Sequence, residues 1–247
     1  MAGACREILI SFCLVFASEK AIAQSYPRWF LDQGAFPDKN VSVGYAEPSL
    51  YEDSSASRAF LSACENMVRQ THTKVTGGQM FWATEAGTYW IGSDIREGID
   101  TSKIVLKIQR LRPIATWHGN NIVVVLAGAT ALQMDSSFLV CKSVDCNPPI
   151  WTESLPRDET YFYAVGLSPE YYHETSSWKE VERNARLNLA RQIFVELKAL
   201  QKSDGISGQE IRNEEISVEL HNVEILARWR DVKKKIFYVL ARMPKSQ

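Results

Sequence analysis

The chain has 247 residues, 45% of them hydrophobic and 23% charged, with a formal net charge of −1. That is an ordinary globular composition, enough for one large domain or two small ones. The near-zero balance argues against a nucleic-acid binder, which carries a basic face and a high pI, and the longest basic run, Lys233-Lys234-Lys235, reads as a solvated hairpin turn.

Ile8 to Ala17 is an apolar run too short to span a bilayer. It is followed by Ala21-Ile22-Ala23, an A-x-A site of the kind signal peptidase accepts. Residues 1–23 are therefore expected to be a signal peptide and Gln24 the first mature residue. Neither Cys5 nor Cys13 suits a lipid-anchoring cysteine, since neither follows a complete apolar run. No later segment approaches 18 uninterrupted apolar residues, so no transmembrane segment is expected in the mature chain. An exported, periplasmic or outer-membrane-associated protein is the expectation.

The mature chain opens with an irregular lead-in carrying Trp29 and Phe30. Val41, Val43 and Tyr45 then alternate with Ser42 and Gly44, a short strand of period two. Glu52-Asp53-Ser54-Ser55 opens a helix, and Ala56, Phe60, Ala63 and Met67 give it one apolar stripe. The helix is expected over about 54–75, ending before Gly77-Gly78. Residues 77–98 hold Met80-Phe81-Trp82 and Tyr89-Trp90-Ile91, an aromatic hairpin or ordered loop. Ile104, Leu106 and Ile108, then Leu111, Ala115 and Trp117, read as one long strand with a phase slip, returning at Ile122 to Ala127 after a turn at 118–121. A linker, 129–148, carries Cys141 and Cys146, a plausible disulfide in an oxidising compartment, closing a loop too short to add much stability. Cys64, at helical spacing from Phe60 and Met67, reads as a buried, inert thiol.

The remainder repeats this order. Pro149-Ile150-Trp151 matches Pro27-Arg28-Trp29, Val165-Gly166 matches Val43-Gly44, and Ser176-Ser177 matches Ser54-Ser55, each 122 positions on. A constant offset marks an internal duplication. Tyr161, Tyr163 and Val165 make the strand. Ser177-Trp178-Lys179-Glu180 reads as a capping box. Val181, Ala185, Leu189, Ile193 and Leu197 form the helical stripe, and Gly205 is a stop. Ile216, Val218 and Leu220, then Val223, Ile225, Ala227 and Trp229, slip phase as in the first copy, the signature of a bulge, and Ile236 to Arg242 returns. The two hairpins are offset by 112, so the first copy holds ten extra residues, within 77–98.

The expected fold is α+β: two tandem β-α-β-β units, over 24–128 and 149–247, each a long helix on a three-stranded antiparallel sheet. Each sheet leaves a face or edge needing a partner, supplied by the other copy or by homo-oligomerisation.

The P-x-W turn, the strand ending Val-Gly, the serine-rich helix start and the two-stranded return together resemble the twenty-kilodalton bacterial envelope lipoproteins, whose dodecin-like β-α-β-β domains also occur in flagellar outer-membrane accessory proteins. The resemblance covers residues 27–127 and 149–243. It implies an envelope protein with an assembly or surface role and envelope or flagellar-type protein partners. The lipid-accepting cysteine of that family is missing here, and the aromatic insertion is foreign to the core pattern.

No catalytic residues are expected. G-x-S-x-G, G-x-x-x-x-G-K-[ST] and H-E-x-x-H are missing, and His72, His118, His173 and His221 are far apart in sequence. Neither a metal nor a cofactor is expected. Glu210, Glu214, Glu215 and Glu219 crowd a strand entrance and read as solvated charge. Trp29 and Trp151 recur and read as structural, each beneath its own sheet. Trp82, Tyr89 and Trp90 do not recur, and are the candidate binding residues, for a protein or an aromatic ligand if exposed and as added core if buried. The expected function is non-enzymatic: assembly or protein–protein interaction at the cell surface or periplasm. The alternative is a carrier that stacks a small aromatic ligand in the inter-copy cleft or on this hairpin.

Overall fold

The computed structural model describes residues 25–36, 40–84, 87–129, 136–143, 147–203 and 213–245. The expected signal segment, 1–23, lies outside them. In chain order the elements are β1 (Ser25–Pro27), α1 (Arg28–Leu31), β2 (Val41–Ala46), α2 (Glu52–Thr71), β3 (His72–Thr84), β4 (Gly87–Ser93), β5 (Arg96–Gly98), α3 (Ser102–Arg110), β6 (Arg112–His118) and β7 (Val123–Gly128). After α4 (Ser136–Leu139) and β8 (Cys141–Ser143) come β9 (Tyr161–Pro169), α5 (Glu174–Ser203), β10 (Asn213–His221), β11 (Glu224–Asp231) and β12 (Ile236–Pro244).

The protein is α+β, and its sheets are antiparallel. β2, β7 and β6 form one three-stranded sheet and β9, β12 and β11 another, each with the return strand in the centre. Helix α2 packs on the first and α5 on the second. A third sheet has the order β10-β3-β4, with β5 also on β3, so a strand of the second half pairs with a strand of the first. β1 pairs with β8.

The 122-residue repeat holds down to single hydrogen bonds. Asn66 Nδ2 donates to Val43 O at 2.8 Å, and Asn188 Nδ2, 122 positions on, donates to Val165 O at 2.9 Å. Arg69 donates to Asn66 Oδ1 at 3.2 Å, and Arg191 to Asn188 Oδ1 at 3.0 Å. Gly44 and Gly166 sit under the helices at the same point. A Cβ on Gly44 would lie 2.0 Å from Ala63 N, and one on Gly166 2.0 Å from Val181 O and 2.6 Å from Ala185 N. The Val-Gly motif is thus where helix backbone meets strand backbone, a contact only glycine permits. The P-x-W turns match as well: Pro27 and Pro149 have φ, ψ of −63°, 143° and −60°, 146°, and each leads a short helical turn bearing its tryptophan.

Several local expectations change. Gly77-Gly78 does not end α2. The helix stops at Thr71 and β3 begins at once, because Thr73, Val75 and Thr76 are β-branched and prefer a pleated surface. Gly77 lies inside β3 with φ +132°, where a side chain would meet Asp94 and Ile95. Ile104 to Ile108 is helix α3, not strand. Ile104 and Ile108, four apart, pack on Ala63, Cys64, Met67 and Leu111, and Leu106 points away, half-exposed. The phase slip of the second copy is a chain turn at Asn222 (φ 56°), which separates β10 from β11. Its N–H donates to Thr71 O, and that of Val223 to Gln70 O, so this turn closes the end of α2. The register shifts that do occur fall a little further on, at Pro113/Ala115 and Ile225/Ala227, and they are related by the offset of 112.

Helix α5 starts one turn before the expected capping box. Ser177 Oγ instead accepts from Tyr171 N at 2.8 Å, as Ser55 Oγ, its repeat partner, bonds Ser49 Oγ at 2.8 Å. Trp178 is fully buried, edge-on to Phe30 (5.2 Å) and Phe237 (4.7 Å). The lead-in of the first half therefore does not lie beneath its own sheet alone. Phe30 meets the second half, Gly34 lies against Leu226, and one core cluster joins Tyr26, Trp29 and Phe30 to Trp178, Leu189 and Phe237. Cys64 is buried, as expected, and burial, then Glu65, pushes its thiol up to about 11.

Candidate functional site

Where the halves meet, four charged side chains run through the interior. Arg228, on β11, donates from Nε and Nη2 to Glu182 Oε1 at 3.0 and 2.7 Å, and from Nη1 to Phe30 O and Gln33 Oε1, both at 2.9 Å. Its guanidinium lies 4.8 Å above the Phe30 ring. On α5, Arg186 reaches Glu182 Oε2 at 4.0 Å and grips Glu97 of β5 with two bonds, at 2.6 and 3.1 Å. The order Glu97–Arg186–Glu182–Arg228 alternates in sign, sums to zero, and ties β5 and the lead-in of the first half to α5 and β11 of the second. Buried charge persists only where it is paired and hydrogen-bonded in this way. Burial works against the Arg186 charge, but Glu97 and then Glu182 outweigh it, and its pKa is raised.

A second buried group repeats the logic at the start of α5. Tyr26 OH donates to Glu174 Oε1 at 2.6 Å, and Trp178 Nε1 donates to the same oxygen at 3.2 Å. Arg230 approaches Glu174 Oε2 at 3.9 Å and bonds Glu170 at 2.8 Å. Burial, then Glu174, holds the Tyr26 phenol well above its ordinary value, and burial, then Glu182, does the same to Tyr45. A raised phenol pKa contributes stability that is complete below the unfolded-chain value, about 10, and lost as pH rises through the folded one. Stability is thus expected to hold up to about pH 10 and to fall as pH rises above it. In a spectroscopic titration two of the nine tyrosines should resist ionisation until the chain unfolds; ionisation of all nine in the folded state would contradict this.

Beside the first network lies a cleft of about 230 Å³ between α2 and α5, lined by Glu65, Arg69, Lys179, Glu180, Arg183 and Arg186, with Tyr45 at its base. The cleft offers one aromatic ring and a wall of both charge signs.

The candidate binding residues are placed by backbone register alone. Trp82 pairs with Tyr89, and Trp90 with Phe81, in the β3–β4 hairpin, which is the expected aromatic hairpin. The side chains of residues 79–93 lie outside the described part, as does Cys146; Cys141 is exposed on β8. The structure brings together residues that the sequence left apart. His72 and His221 are register partners on β3 and β10, and Glu219 stands two residues before His221. His173 lies 3.3 Å from Glu47, and Thr175 Oγ1 donates to the same carboxylate at 3.4 Å. These contacts join the loop before α2 to the loop before α5. On the joined loops Leu50, Tyr51, Tyr171 and Tyr172 are exposed, Leu50 and Tyr172 almost entirely. Leu50 and Tyr172 are 122 apart and so occupy equivalent positions.

Glu182 and Arg186 went unnoticed in the sequence, although a signal was present. Trp178, Glu182, Arg186 and Ala190 are spaced by four, so two opposite charges stand on a face that is otherwise apolar. Among the described residues no helix is long and apolar enough to cross a membrane. Comparison with family models, with curated proteins and with solved structures gives no match.

Proposed function

We propose that the chain is an exported, non-enzymatic protein of the bacterial cell envelope, built of two tandem dodecin-like β-α-β-β units, that works by docking another envelope protein. The observation that carries this reading is the pair of joined loops. Four large apolar side chains stand in solvent on equivalent loops, which Glu47 links through His173 and through Thr175 in the first turn of α5. Exposed apolar groups gathered in this way mark contact surfaces rather than catalytic ones, and tyrosines are favoured anchors there. The expected signal segment and the resemblance to envelope lipoprotein domains supply the location.

The test is site-specific photo-crosslinking in intact cells. A photoreactive residue at Tyr51 or Tyr172 is expected to yield a discrete protein adduct, whereas one at Val195, exposed far along α5 from these loops, is not. The double change Tyr51→Ala, Tyr172→Ala should weaken capture of that partner by about tenfold or more. Adducts that are missing, or that are equal at all three sites, would remove the reading.

A further inference from the structure

We propose that His72, Glu219 and His221 form a binding site for a divalent transition-metal ion of the cobalt-to-zinc series, placed across the strand pair that joins the two halves. Three observations carry it. First, the donor set is two imidazoles and one carboxylate, the mixture that suits zinc, copper, nickel or cobalt and not calcium or magnesium, which take oxygen ligands. Second, the backbone places the three on one patch. His72 and His221 are direct register partners, and Glu219, two residues from His221, projects from the same face of β10. Third, the ligand atoms are already close. His72 Nε2 lies 3.4 Å and His221 Nε2 3.7 Å from Glu219 Oε2, and one ligand atom from each of the three residues falls within 4.8 Å of the other two. A tetrahedral site with bonds of about 2.0–2.1 Å has ligand-to-ligand edges of roughly 3.3 Å. Two edges are therefore near that length, and the third closes by rotation of partly exposed rings whose centroids are 4.8 Å apart.

Three protein ligands leave at least one position for water or for a donor from another molecule. Lys74 is the register partner of Glu219 and puts a positive charge on the same strand pair, so affinity must come from coordination bonds and not from a negative field. Because His72 belongs to the first half and Glu219 and His221 to the second, the bound ion cross-links the halves at the start of β3, where α2 ends.

Zinc titrated calorimetrically into the untagged full chain is expected to bind at one ion per chain. His72→Ala and His221→Ala should each weaken binding by about tenfold or more, and Glu219→Gln should also weaken it, while His118→Ala leaves it unchanged. Zinc should raise the thermal unfolding midpoint of the wild-type chain and not that of His72→Ala, since only the intact site distinguishes folded from unfolded chain. The substituted side chains are at the surface, and circular dichroism checks that each variant folds. Failure of the wild-type chain to bind, or equal affinity in the wild type and in both histidine variants, would overturn the site.

Discussion

Glu182→Ala is expected to destabilise the chain by about 3–5 kcal/mol, the cost of leaving a buried partner charge without its counter-ion. The carboxylate takes two bonds from Arg228 and also faces Arg186, so its removal strands one guanidinium and weakens the hold on another. For a chain of this size the loss corresponds to a fall of about 10 °C or more in unfolding midpoint. Glu182→Gln should cost less, because an acceptor for Arg228 remains although the local charge no longer cancels. Urea unfolding monitored by circular dichroism provides the measurement. A loss below about 1 kcal/mol for the alanine variant would mean that the network is dispensable and that packing alone joins the halves.

The second large effect is expected at Gly44 and Gly166. A methyl group at either would stand 2.0 Å from helix backbone, closer than any unstrained contact, so α2 or α5 would have to lift off its sheet. Overpacking against side chains costs about 1–3 kcal/mol. Here the opposing atoms are main-chain and cannot swing aside, so about 3 kcal/mol or more is expected for each alanine. Gly98→Ala serves as the control, since its nearest neighbour, Lys74 O, would be 3.8 Å away, and its effect should stay within about 0.5 kcal/mol. Equal losses in the two halves would express the internal repeat as energy. A small loss in either would show that one helix docks more loosely than these distances state.

The helix backbone that requires these glycines is a tertiary neighbour, but their place was legible in the sequence because Val-Gly recurs at a constant offset. The same holds for β2 and β9, where alternation is clear, and for the return strands β7 and β12. Other elements were not readable, for identifiable reasons. Ile104, Leu106 and Ile108 satisfy a period of two, while Ile104, Ile108 and Leu111 satisfy a helical one, and a short apolar run does not decide between them. Packing of Ile104 and Ile108 against Met67 and Ala63 decides it. The pairing of β3 with β10 has no local signal at all. It depends on β3 beginning immediately after α2, a junction hidden by Gly77-Gly78, which resembles a helix stop. Once that pairing was missed, His72 remained in a helix, and its meeting with Glu219 and His221 could not be foreseen. The charge network was half visible, as the four-residue spacing of Glu182 and Arg186. Arg228 and Glu97, its other members, are brought in by tertiary structure.

The exchange of elements between the halves also governs the order in which the molecule can form. Phe30 O waits for a guanidinium 198 positions later, and Tyr26 for a carboxylate 148 positions later. β3 has no companion on its outer side until β10 has been made. During synthesis the amino-terminal half therefore cannot finish its core, and it exposes aromatic side chains and an open strand edge until nearly the whole polypeptide exists. Contacts of such long range slow folding and lengthen the time during which chains can associate wrongly. The two halves are therefore expected to be completed together, after the last strands are available.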